Sequence, residues 1–122
     1  MVISENVNAW VQEVEKDLNI KIDRAVLKNY LKVSKAIEYG FGYVLYCISP
    51  TLFSGKCLYV ISIYIKPTER KAKNILKIQR DIKTIAKNEN CKYIKQYSHF
   101  NNKYNDFLKK HGYKVSEYIK EV

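Results

Sequence analysis

The 122-residue sequence has few of the residues that punctuate or cross-link a chain. Its three cysteines, Cys47, Cys57 and Cys91, form no CxxC pair and are odd in number. That argues against a disulfide framework or a zinc site and for a reducing setting. The two histidines, His99 and His111, match no metal-ligand spacing, so no metal is expected. Four glycines and two prolines leave no Gly/Pro-rich linker, and neither repeats nor low-complexity tracts occur. One continuous domain over residues 1–122 is therefore expected. No apolar run approaches the ~18 residues of a membrane-spanning helix. The best candidate, Leu58 to Ile65, is strand-sized. The N-terminus lacks a basic region followed by an apolar core, so no secretory signal is expected. These absences point to a cytoplasmic protein without a membrane partner.

Charge of one sign is abundant. Twenty-two Lys and Arg stand against twelve Asp and Glu, for a net charge of +10. Residues 1–65 contribute +1 (seven basic, six acidic) and residues 66–122 contribute +9 (fifteen basic, six acidic). A basic half points to an anionic partner: a phosphorylated cofactor, a nucleic acid or an acidic protein surface. Codon bias is a competing explanation. Lys outnumbers Arg 19 to 3, and Lys, Asn, Ile and Tyr, all with AT-rich codons, total 54 residues. Such bias does not account for the concentration of charge in one half.

Apolar periodicity divides the chain. Ser4 is read as the cap of a first helix, with Val7, Trp10, Val11, Val14 and Leu18 on one face and Asn19 at its end. Asp23 caps a second helix carrying Val26, Leu27, Tyr30, Leu31 and Ile37, broken by Gly40 and Gly42. Phe41 to Ile48 and Cys57 to Ile65 read as strands around a Pro50 to Lys56 loop, and Pro67 stops the second. Arg70 to Lys87 is an amphipathic helix. Ala72, Ile75, Leu76, Ile78, Ile82, Ile85 and Ala86 lie on one half of its wheel, and Lys73, Lys77, Arg80, Lys83 and Lys87 on the other. Lys92 to Ser98 is a strand, Asn101 to Lys110 a short helix stopped by Gly112, and Tyr113 to Val122 a last strand. The expected fold is α/β (α+β), a mixed central sheet flanked by helices, in the order α-α-β-β-α-β-α-β.

Two segments carry a family pattern. Ile65, Pro67 and Arg70 keep the V-x-P-x-x-R spacing between a strand and a long helix. Asn101, Tyr104, Phe107, Leu108, Gly112 and Tyr113 keep a second spacing around the short helix. In both, residues 41–122 resemble the GCN5-related N-acetyltransferase (GNAT) superfamily. The resemblance implies acetyl-CoA as cofactor, its pyrophosphate held by the turn that opens the long helix. It assigns that cradle to Ile65, Arg70, Lys71, Ala72, Lys73, Asn74 and Ile75, with Asn101 in the second motif. The family turn carries glycines where this chain has Lys73 and Ile75, and a Cβ at either position crowds a diphosphate. The family's general-acid Tyr aligns with Leu108, which has no proton to give; Tyr104, one helical turn away, and Tyr97 are the substitutes nearby in sequence, with Tyr104 the candidate. No carboxylate lies in Cys57 to Ile65, where the family often keeps its base; Ser62 and Tyr64 are the polar side chains of use there, Glu69 sits in the turn, and His99 is the best base candidate.

The expected function follows from these departures: a GNAT-fold protein with an eroded acetyltransferase site and a non-catalytic interaction or structural role, served by a protein partner. Size and codon bias fit a phage-derived, virion-associated protein. Two alternatives stand beside it. One is an active acetyl-CoA-dependent N-acetyltransferase on a primary amine. The other is a nucleic-acid-binding module using Lys73, Lys77, Arg80, Lys83 and Lys87, with Tyr93 and Tyr97 stacking on bases.

Overall fold

A computed structural model describes residues 2–4, 8–52, 55–96, 102–114 and 120–122. Its elements run β1 (Val2–Ser4), α1 (Asn8–Leu18), α2 (Arg24–Val33), β2 (Lys35–Tyr39), β3 (Gly42–Thr51), β4 (Gly55–Ile65), a single 3₁₀ turn (Pro67–Glu69), α3 (Ala72–Asn88), β5 (Tyr93–Gln96) and α4 (Asn102–Lys110). The five strands lie in sequence order in one sheet. The first four are antiparallel neighbours, and β5 joins β4 in parallel. A parallel neighbour requires a crossover, and α3 supplies it.

Local chemistry sets the element ends. Asp23 accepts hydrogen bonds from the Ala25 and Val26 amides and starts α2, as its sequence position implies. Asn19, Asn90 and Gly112 adopt positive φ at the ends of α1, α3 and α4. After α3 and α4 the closing bonds are paired: Cys91 N–H to Ala86 O with Asn90 N–H to Lys87 O, and Tyr113 N–H to Leu108 O with Gly112 N–H to Lys109 O. Both are Schellman closures that satisfy carbonyls the helix leaves open.

Three expectations need correction. Ser4 caps no helix; it is in β1, opposite Ala36 of β2, so a strand does precede the first helix. Ile37 is not on α2, because the helix stops at Val33 and Lys35–Tyr39 forms β2, whose Ala36 and Ile37 are fully buried. The β3–β4 hairpin is tighter than a Pro50 to Lys56 loop, since Pro50 pairs with Lys56 and Thr51 with Gly55. The mixed sheet with flanking helices is as expected, with β1 and β2 added to the element order. The last strand, expected over 113–122, falls largely outside the described residues.

The sheet has a core on each face. Ile78, Ile82, Ile85 and Ala86 of α3 pack on Ile37, Tyr39, Val44, Tyr46, Leu58, Val60 and Ile65. On the other face, Trp10 and Val14 of α1 and Leu27 and Leu31 of α2 meet Ala36, Tyr43, Leu45 and Tyr64. Strand alternation explains how one run of apolar residues serves two cores.

The candidate acetyl-CoA site

The site is built where β4 ends. In the β3–β4 ladder Leu45 faces Ser62 and Tyr46 faces Val60, so Ile61 is an extra residue in β4. Side-chain directions agree. Leu58 and Val60 point to the α3 face, as do Ile63 and Ile65 beyond the irregularity. Between them, Ile61 packs on the α1/α2 face, and the Ser62 Oγ lies 3.2 Å from the Tyr43 hydroxyl of that same face. Two consecutive residues on one face define a β-bulge, which bends its strand and re-aims the residues beyond it. Among the described residues, β5 pairing stops at Val60 opposite Gln96, just before the bulge. Among the described residues, the end of β4 beyond the bulge pairs on the β3 side, next to the β4–α3 turn.

Gly42 lets β3 close on that end of β4. A Cβ there would stand 1.9 Å from the Tyr64 carbonyl oxygen and 3.0 Å from the Ile65 Cα. Both are backbone atoms, so only glycine fits.

The turn itself is held by side chains. Arg70 Nε donates to the Ile65 carbonyl at 2.9 Å, and its Nη2 to Asp17 Oδ2 of α1 at 2.6 Å. Its guanidinium also lies 5.9 Å from the Tyr64 ring centre. Buried Asn74 donates from Nδ2 to the Glu69 carbonyl at 2.7 Å and lies 3.4 Å from the Glu69 carboxylate. Arg70 and Asn74, both expected in the cofactor cradle, thus hold the turn in this structure. Ile65 is buried, its carbonyl engaged by Arg70.

The start of α3 faces solvent. Lys71 stands at the N-cap position without a side-chain cap, and the first turn contains no acid. The Asn74 and Ile75 amides reach the Lys71 carbonyl. Those of Ala72 and Lys73 have no acceptor within the helix. The positive end of the helix dipole, two amide donors and the exposed Lys71 and Lys73 therefore coincide. Ile75 packs against the α3-side core, so its side chain points away from this end and removes one of the two steric objections to a diphosphate. Lys73 is exposed and keeps its Cβ where the family has glycine. The residues present fit a phosphate group held by amides and ammonium groups at the helix end.

The reactive side chains fit less well. Leu108 is buried, and it is packing. The Tyr64 hydroxyl is buried without a close hydrogen-bond partner among the described residues. Burial first, then the nearby carboxylates of Asp17 and Glu13, push its pKa up to about 12, with Arg70 acting in the opposite sense. It is no base at neutral pH. Burial likewise pushes up the thiols of Cys47, Cys57 and Cys91, which makes them poor nucleophiles. His99 and Asn101 lie outside the described residues, as does the side chain of Tyr104. Among the described residues, no cluster of three or more His, Cys, Asp or Glu is placed to hold a metal ion. Nor is any helix long and apolar enough to cross a membrane. The bulge and the Arg70 strut were missed in the sequence; residues 58–65 are apolar at most positions, and such a run carries no mark of a slipped residue.

No protein-family model matches the chain, and no curated protein matches it in sequence. Solved structures do match its shape. A Pyrococcus furiosus protein proposed to be an acetyl transferase superposes with a TM-score of 0.73 at 16% identity, over 99% of this chain and 96% of that one. The aminoglycoside N-acetyltransferase AAC(6')-Iy, in complex with a bisubstrate analogue of CoA, gives 0.68 at 12% identity, over 99% and 95%. A predicted acetyltransferase from Clostridium acetobutylicum, with acetyl-CoA, gives 0.65 at 16%, over 93% and 85%. The fold is that of the GCN5-related N-acetyltransferases, as the two motifs imply.

Proposed function

We propose that this chain is a diverged GNAT-fold protein that binds acetyl-CoA at the β4–α3 turn and transfers the acetyl group poorly or not at all. The observation that carries the proposal is the basic start of α3, without a side-chain cap, beside the bulged end of β4. Lys71, Ala72 and Lys73 hold the diphosphate through backbone amides and ammonium groups. Acetyl-CoA supplies an activated thioester when bound. The chain offers no hydroxyl at Leu108 for a departing thiolate and no carboxylate on β4 to take the amine proton. The role is then one of binding and interaction, with a protein partner.

A second reading is favoured by the similar structures that carry CoA, acetyl-CoA or a bisubstrate analogue: an N-acetyltransferase on a primary amine, with His99 as base and Tyr104 as acid. A thiol-release assay with acetyl-CoA and a panel of primary amines separates the two. The first reading predicts release at the rate of the amines alone, with acetyl-CoA bound. Saturable release that falls in His99→Ala or Tyr104→Phe would replace it with the second.

A further inference from the structure

We infer that the outer face of α3 docks the sugar-phosphate backbone of a nucleic acid, through a basic row of which Lys73 alone also belongs to the proposed acetyl-CoA cradle. Lys73, Lys77, Arg80, Lys83 and Lys87 are all exposed and stand at i, i+4, i+7, i+10 and i+14. At 1.5 Å rise per residue this row is about 21 Å long. It lies opposite the buried residues of α3, Asn74, Ile78, Ile82, Ile85 and Ala86. Successive members are like-charged neighbours at i,i+3 or i,i+4, an arrangement that destabilises a helix until an anion neutralises it.

Among the described residues no carboxylate forms a salt bridge with any of the five, although the Lys77 ammonium lies 5.9 Å from the Tyr39 ring centre. Asp81 of α3 accepts the Tyr39 hydroxyl at 2.6 Å, and Glu89 faces Lys56 at 3.6 Å. A protein partner would need apolar anchors, because protein interfaces concentrate their energy in a few buried aromatic and apolar side chains. The large apolar side chain exposed on α3 is Leu76. A row of point charges without such anchors matches a chain of phosphates, which needs charge spacing rather than shape. Among the described residues, no candidate stacking tyrosine is on this face. Ile94 packs with the α3-side core, so its neighbour Tyr93 points to the opposite face of the sheet, and Tyr97 lies outside the described residues. Binding is therefore electrostatic and indifferent to sequence.

The experiment is fluorescence anisotropy with labelled single-stranded DNA, RNA and duplex DNA of about 20 nucleotides, over a range of salt. Five neutralised phosphates predict a slope of log K against log salt of roughly −3.5 for single strands and −4.5 for duplex. The variant R80Q/K83Q/K87Q leaves the α3 N-terminus intact. Its slope is expected to be shallower by about 2 on single strands, with affinity reduced at least about tenfold at low salt. The comparison variant K28Q/K32Q/K35Q loses the same three charges elsewhere and is expected to bind like the parent. Equal losses in both variants would reduce the effect to net charge and overturn the inference. So would no binding to any oligonucleotide at about 50 mM salt, or binding to anionic phosphatidylserine vesicles alone. The relative affinities for DNA and RNA identify the source of the backbone. Acetyl-CoA titration of R80Q/K83Q/K87Q, expected unchanged, keeps this test separate from that of the cofactor site.

Discussion

Replacing Arg70 by Ala should cost stability more than cofactor affinity. The guanidinium makes a charge-assisted bond to the Ile65 carbonyl, worth about 1.5 kcal/mol. Its pairing with Asp17 is short, but the Arg70 side chain is 43% exposed, which cuts that contribution to about 0.5 kcal/mol. The sum is about 2 kcal/mol, or a fall in melting temperature of roughly 8 °C for a chain of this size. The double variant K71Q/K73Q should show the reverse. Both lysines are exposed, and neither is part of a salt bridge among the described residues, so the melting point should hold. Loss of two ammonium groups at the helix end should weaken acetyl-CoA binding on the order of tenfold, or about 1.4 kcal/mol. Thermal melts and calorimetric titration, run at a temperature where each variant is folded, measure both quantities. If Arg70→Ala melts with the parent and loses acetyl-CoA binding more than tenfold, Arg70 is a ligand and not a strut, and the reasoning fails.

Other substitutions and conditions probe the same frame. Gly42→Ala should destabilise by about 3 kcal/mol, since its Cβ would meet the Tyr64 backbone; an unchanged chemical-denaturation midpoint would refute the close approach. Asn90→Ala should cost about 1 kcal/mol, because the residue sits at φ 56° in the closure of α3; the same denaturation experiment reads it. At high pH the tyrosines matter. Burial raises the pKa of Tyr39, Tyr43, Tyr46, Tyr64 and Tyr113, with Asp81 reinforcing the shift at Tyr39. Above pH about 10 the unfolded chain releases protons that the folded chain keeps, so stability falls as pH rises through the folded values. Absorbance titration followed alongside circular dichroism should show these five ionising at higher pH than the exposed tyrosines. All eleven tyrosines titrating together near pH 10 in an intact fold would contradict it.

The parts of the fold that were legible in the sequence are those fixed by local chemistry. Asp23 as a cap, Asn19 and Gly112 as helix stops, and the face of α3 all follow from nearest-neighbour rules. The elements that escaped were fixed by tertiary pairing. β1 is three residues long and exists only against β2, while Ser4 also satisfies the composition of a cap. β2 follows directly on α2, and Ile37 continues its apolar spacing; the strand wins because β3 offers it a full ladder from Lys35 to Tyr39. The candidate site divides the same way. The turn and helix start were found from Pro67 and Arg70, and their absent glycines and the apolar Leu108 were evident. That Arg70 and Asn74 bind the turn depends on Asp17, distant in sequence, and on the local path of Glu69, neither of which spacing reveals.

The central claim is that the first-turn amides of α3 receive the diphosphate of acetyl-CoA. At 14.4 kDa the protein suits amide-resolved NMR, and the decisive measurement is a titration of the ¹⁵N-labelled chain with acetyl-CoA. The account predicts saturable shifts at Ala72 and Lys73, with smaller ones at Ile61 and Ser62 of the bulge, and their loss in K71Q/K73Q. No shift at Ala72 and Lys73 up to millimolar acetyl-CoA, in a protein with a dispersed folded spectrum, would contradict it.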